Sequence, residues 1–235
     1  MLGLFKKKPA APRPSPQAQP GSLVLQMRET LFGDMPLHLF PPPDAQPADA
    51  PPWGPLAAAR EAVVAGRHSE AEQHCRRLLA EPQESRVIAQ TWQMLRGIGY
   101  APQGDEIQVV GAVAEAGVNG GLDIVAAYRD GTARYYNYSG AAVVWESPDA
   151  DAAIADTIRR LMLAAEKIAS FAGVHNAARP GPPPQGQVRL TAIVTDGLHF
   201  GQAPMEFFQR DAVAGPFLSE SVQLMQLLMD AGRAR

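Results

Sequence analysis

One cysteine, Cys75, in 235 residues leaves no partner for an internal disulfide, which points to a reducing cytoplasm rather than an oxidising exterior. No apolar run approaches the ~20 residues that would span a bilayer. The start, MLGLFKKKPAAPRP, places its charges after a short apolar stretch, the reverse of a secretory signal. Charge of one sign is missing too: the net charge of -3 supplies no basic field that would draw the chain onto nucleic acid or acidic lipid. The five histidines, His38, His68, His74, His175 and His199, show no HExxH or paired spacing, and one cysteine makes no zinc ribbon. The glycines of AGVNGGLD lack a phosphate-loop lysine and lead from strand to strand, so neither a metal nor a cofactor is expected.

Proline is abundant but unevenly spread. Thirteen of the 22 prolines precede residue 56, in PAAPRPSPQAQPG and PPPDAQPADAPP. Such stretches stay extended because proline removes a donor and blocks helix. They delimit a disordered tail at 1–21, a hydrophobic arm at 22–40 and a proline-rich linker at 41–52. The arm, SLVLQMRETLFGDMPLHLF, crowds Leu25, Leu31, Phe32, Met35, Leu37, Leu39 and Phe40 into a segment too small to bury them alone. It must dock, either back onto its own domain or, through Leu31, Phe32 and Met35, onto another protein.

From 53 to 100 the apolar spacing is helical: Leu56, Ala59, Val63 and Val64, then Ala71, Cys75, Leu78 and Leu79, then Ile88, Trp92 and Leu95. Within it AREAVVAGRHSEAEQHCRRLLAEP resembles a tetratricopeptide repeat over about 53–98. Small residues sit where two antiparallel helices touch, Ala71 lies at the crossing and Pro82 closes the second helix. The stretch lacks the motif's aromatics, carries Leu78 where a small residue is usual and has no second copy. The resemblance implies a helical hairpin and peptide binding; a lone hairpin must lean on a neighbouring domain.

Residues 105–235 read as an α+β domain with a proline-rich loop at 175–187. A strand over 107–115 leads into LDIVAAYRDGTARYYNYSGAAVVWE, in which glycine-containing turns join three extended segments into a meander. Pro148, Asp149 and Asp151 start a long amphipathic helix carrying Ile154, Ile158, Leu161, Ala165 and Ile168. Strands follow over 188–195 and 198–210, then a helix over 217–229. The order strand four times, helix, strand twice, helix predicts an antiparallel sheet of about six strands with helices mainly on one face.

Two-residue turns at Asp130-Gly131 and Ser139-Gly140 would set Ala126 against Tyr135, Ala127 against Arg134 and Trp145 against Arg134. One face would then carry Asp123, Arg134, Tyr136, Tyr138 and Trp145, the residue types that anchor interfaces. The leading expectation is therefore a cytoplasmic adaptor without catalytic activity, holding a protein partner through that face and the arm. A sensor or enzyme with Asp123, Asp196 and His199 around a pocket between sheet and long helix is the rival. Homo-oligomer formation through a sheet edge or the aromatic face is a third possibility.

Overall fold

The computed structural model describes residues 20–36 and 51–233. The tail at 1–19, the 37–40 end of the arm and the 41–50 part of the linker lie outside them. In chain order the elements are α1 (Pro20–Arg28), α2 (Trp53–Val64), α3 (His68–Leu79), α4 (Ser85–Gly97), β1 (Val109–Val118), β2 (Gly121–Tyr128), β3 (Ala133–Tyr136), β4 (Ala142–Trp145), α5 (Ala152–Phe171), β5 (Gln187–Val194), β6 (Gly197–Pro204), α6 (Met205–Arg210) and α7 (Ala214–Arg233). All six strands form one antiparallel sheet in the order β4-β3-β2-β1-β5-β6. The fold is α+β, as the element order predicts. None of the described helices is long and apolar enough to cross a membrane.

The two long helices over the sheet, α5 and α7, form where an aspartate caps them and an apolar stripe gives them a face to bury. Asp151 caps α5, its Oδ1 accepting from the amides of Ala153 and Ile154 at 2.8 and 3.1 Å. Asp211 does the same for α7 through Val213 and Ala214, at 2.9 and 2.7 Å. The α5 stripe of Ile154, Ile158, Leu161, Ala165 and Ile168 is buried, together with Phe217, Leu224 and Leu228 of α7, on Val125, Tyr135, Leu190 and Ala192 of the sheet. The α2–α3 hairpin and α4 share a smaller core around Leu56, Cys75, Leu78, Trp92 and Leu95.

The opposite sheet face is covered too, a difference from the expectation of helices mainly on one side. Val24 of α1, Leu31 and Phe32 of the arm and Ala89 of α4 pack on Val113, Ile124, Ala126, Tyr128, Tyr136 and Ile193. The arm therefore docks on its own domain. Its backbone is pinned by Gln90, whose amide donates to the Met35 carbonyl and accepts from the Met35 amide, both at 3.0 Å. The Tyr128 hydroxyl donates to the Leu31 carbonyl at 2.8 Å.

The meander register differs by one residue from the expected one. Ala127 faces Ala133, Ala126 faces Arg134 and Ile124 faces Tyr136. On the next strand Trp145 faces Ala133 and Val144 faces Arg134. The cause is loop length. The amide of Tyr128 donates to the carbonyl of Thr132 and that of Gly131 to Tyr128, both at 3.0 Å, so the loop is Arg129–Gly131, with Gly131 at φ 83. A type I turn followed by a left-handed glycine makes such a three-residue connection. Asp130 fixes it by accepting from the Thr132 amide and hydroxyl at 3.0 and 2.8 Å. The next loop repeats the device: Asn137 pairs with Ala141, Gly140 has φ 88, and Asn137 Oδ1 accepts from the Ser139 amide at 3.0 Å.

Candidate ligand-binding cleft

Because side chains alternate along a strand, the one-residue slip separates the expected aromatic patch. Arg134 and Tyr136 face the arm layer, whereas Trp145 lies on the face that packs on α5 and α7, and all three are buried. The Arg134 guanidinium donates to the Ala133 and Trp145 carbonyls and to Glu146 Oε1, at 2.9, 3.1 and 2.8 Å, so it knits β3 to β4 instead of stacking on the indole. Asp123 is half-buried and accepts from the amide of Tyr138 at 2.9 Å. Tyr138, in the β3–β4 loop, is 47% exposed. Leu31 and Phe32 are buried, and Met35 packs against the helical core. The fold thus brings the three arm residues onto its own core and does not gather the five sheet residues.

Of the rival set, Asp196 and His199 do meet. His199 Nε2 lies 2.9 Å from Asp196 Oδ1 and Nδ1 2.6 Å from the Ala172 carbonyl oxygen. They border a cavity of about 450 Å³ between β5, β6 and the C-terminal end of α5, near Glu166 and Arg129. An imidazole with both nitrogens engaged and 6% exposure turns no lone pair toward that cavity, so it holds structure and does not stand ready to abstract a proton. Asp123 belongs elsewhere, by a smaller apolar groove at the opposite end of β2, where it is near Tyr135, Leu218 and Met225. Ser139 donates its hydroxyl to Asn137 Oδ1 at 2.7 Å, a turn role. Among the described residues no group of three or more His, Cys, Asp or Glu side chains gathers as a metal site would require.

A cavity of about 640 Å³ lies between the arm, α4, the proline-rich loop and the β5–β6 turn. Its arm wall is set by Gly33, whose φ is 60 and at which an added Cβ would come within 2.4 Å of Ala89 Cβ, so the backbone lies directly on α4. Asp34 then turns toward the loop, where Arg179 Nε donates to its Oδ2 at 2.7 Å and Nη2 to Glu29 Oε2 at 2.6 Å. Burial pushes the Glu29 carboxyl up, but Arg179 and Arg28 outweigh it and hold the group below its ordinary value. Phe32 forms the floor between two guanidiniums, with Arg179 at 4.2 Å and Arg28 at 5.4 Å from its ring centroid.

Beneath this wall lies a buried ion cluster. Glu115, on the arm-facing side of β1, accepts from Arg28 Nε at 2.5 Å and from Arg189 Nη1 at 3.3 Å. The two arginines also donate to the loop carbonyls of Pro180 and Gly181, at 2.9 and 2.8 Å. Arm, sheet and loop are therefore held by one network, which gives the cleft polar walls on those sides. From α4, Arg96 reaches the cleft, donating to the Thr195 carbonyl and, at 2.6 Å, to Gln93 Oε1.

Asp34, Gln93, Arg96, His175 and Arg179 were missed by sequence reasoning, because the cleft joins four segments far apart in the chain. A weak signal exists in Glu115 and Arg189, charged residues inside otherwise apolar strands; in a sheet covered on both faces such groups need buried partners. No protein-family model matches the chain, and no curated protein matches it by sequence.

Proposed function

We propose that this protein is a non-catalytic binding module whose cleft between the arm, α4 and the proline-rich loop takes a small polar molecule. One observation carries the reading: a cavity of about 640 Å³ lined by four segments, of which an ion network ties two, the arm and the proline-rich loop, to the sheet and to each other. A concave site with a few converging polar groups on rigid supports is the usual form of a small-molecule site. The occupied nitrogens of His199, and the lack of an evident nucleophile–base pair among the described residues, favour binding over turnover.

Thermal-shift screening of the full chain with a metabolite library tests this. Compounds that raise the melting temperature of the wild type should lose that effect in Asn176→Trp, which places an indole in the cleft mouth from an exposed position. A library without hits, or hits indifferent to Asn176→Trp, would reject the cleft.

Protein contact is the second reading, and a different observation favours it. Met205, Phe207 and Val222 are 40, 63 and 38% exposed, and Met205 and Val222 line the apolar groove against α7. In that reading Phe207→Glu lowers the mass of a self-associated species seen by light scattering; a wild-type monomer would remove the homo-oligomer.

A further inference from the structure

The charges around the cleft are nearly all spoken for, with one exception. Glu29 is paired with Arg179 and Arg28, and Asp34 with Arg179. Arg96 makes no ion pair among the described residues, although it is half-buried and burial lowers its pKa. A guanidinium has five N–H donors, and the two bonds to Thr195 and Gln93 leave donors over at the cleft wall. A half-buried guanidinium with spare donors and no directly bonded carboxylate gains when an anion meets it.

An anion alone fits poorly here, because Asp34 and Asp196 both lie within the electrostatic reach of Arg96. Asp196 spends Oδ1 on His199, and its side chain is partly exposed, which leaves Oδ2 open to a ligand. One cleft therefore carries both a guanidinium with spare donors and a partly used carboxylate, with Phe32, Val174 and Leu198 as apolar lining. That pattern matches a molecule carrying both charges on neighbouring atoms.

Resting on the reading of the cleft as a ligand site, we propose that its ligand is a small zwitterion of the α-amino-acid type, its carboxylate on Arg96 and its ammonium on Asp196. The side chain of such a ligand would lie over Phe32 and Leu198. A bidentate guanidinium–carboxylate contact supplies direction as well as strength, and the ammonium contact rejects simple acids.

The test is calorimetric titration of the full chain with the protein L-amino acids. The tightest binder is then compared with its deaminated acid and its decarboxylated amine. The amino acid should bind, with each single-charge analogue weaker by about tenfold or more, a discrimination of one decade in Kd. Arg96→Gln and Asp196→Asn should each weaken it by about tenfold, with Arg96→Lys in between because it keeps the charge but not the fork. Arg96→Lys also guards against a fold lost with the Thr195 contact. Failure of every L-amino acid to bind, or equal affinity in Arg96→Gln and the wild type, would overturn the zwitterion. If other compounds then bind and are lost in Asn176→Trp, only the ligand class is wrong; if nothing responds to Asn176→Trp, the cleft reading fails with it.

Discussion

The two faces of the sheet are closed by different physics. On one, α5 and α7 lay continuous apolar stripes over Val125, Tyr135, Leu190 and Ala192, and apolar packing dominates, with polar ties such as Arg129–Glu166 and His199–Ala172 only at its edge. On the other, Leu31 and Phe32 share the surface with Arg28, Glu115 and Arg189, so a buried ion cluster sets where the arm lies. An apolar layer tolerates small shifts, whereas a buried charge network is stable only when every partner is present. The polar face is thus the one able to specify a site, and the cleft opens there.

The sharpest way to break the comparison is one deletion on each face. Phe217→Ala opens a cavity under α7 and should lower stability by about 3–5 kcal/mol, read by chemical denaturation. Glu115→Gln strands two buried guanidiniums and should cost about 3 kcal/mol. The faces then diverge in rescue. Replacing Arg28, Glu115 and Arg189 together by Met, Leu and Met should recover most of the loss, while leaving the 175–187 loop open to proteolysis because its Pro180 and Gly181 carbonyls lose their donors. If the triple variant is no more stable than Glu115→Gln, the cluster is not an exchangeable substitute for apolar packing.

The same contrast governs what could be read in advance. The α5 stripe and its Asp151 cap are local patterns, spaced at three and four residues, so helix and buried face were both legible. The number of strands and their antiparallel hairpins were legible for a like reason, since turns and alternation are short-range, whereas the long-range pairing of β1 with β5 was not, and the strand expected over 198–210 stops at Pro204, where α6 begins. Register was not, because Asp130-Gly131 and Ser139-Gly140 suit a two-residue or a three-residue loop equally. The choice rests on where Gly131 and Gly140 take positive φ, and one residue of difference sends Trp145 to the other side of the sheet from Tyr136. The cleft was least legible of all: Arg28 and Glu115 are 87 residues apart, and Arg179 and Asp34 are 145.

A smaller effect sharpens the comparison through pH. Asp130 joins the arm-side helix α4 to the β2–β3 loop, accepting from the Ser85 amide at 2.7 Å while its own amide donates to Ser85 Oγ at 3.1 Å. Burial pushes its carboxyl up, but the amides and hydroxyls of Ser85 and Thr132 outweigh this and hold its pKa below the ordinary value. A folded pKa below the unfolded one, about 3.9, means the ionised group stabilises above that pH and its contribution is lost as pH falls through the folded value. Asp130→Asn should therefore cost about 1–2 kcal/mol at neutral pH and flatten the stability curve below about pH 4. An acid limb identical to the wild type's would assign that limb to other carboxylates.

The smallest predicted effect isolates the outer edge of the polar face. Arg179 ties the proline-rich loop to Glu29 and Asp34, but Glu29 is 56% exposed in its side chain, so solvent screens much of that pair. Arg179→Ala should lower global stability by only about 1 kcal/mol, since the Glu115 cluster beneath it stays intact. Local opening should respond more strongly, because Arg179 also covers the Phe32 ring on which the arm rests. Hydrogen exchange at the amides of residues 31–35 should accelerate by about tenfold, while the strand amides of β1 and β5 keep their protection. Equal acceleration in arm and strands would mean that the arm opens only with the whole domain, and that the two faces, built differently, nonetheless unfold as one unit.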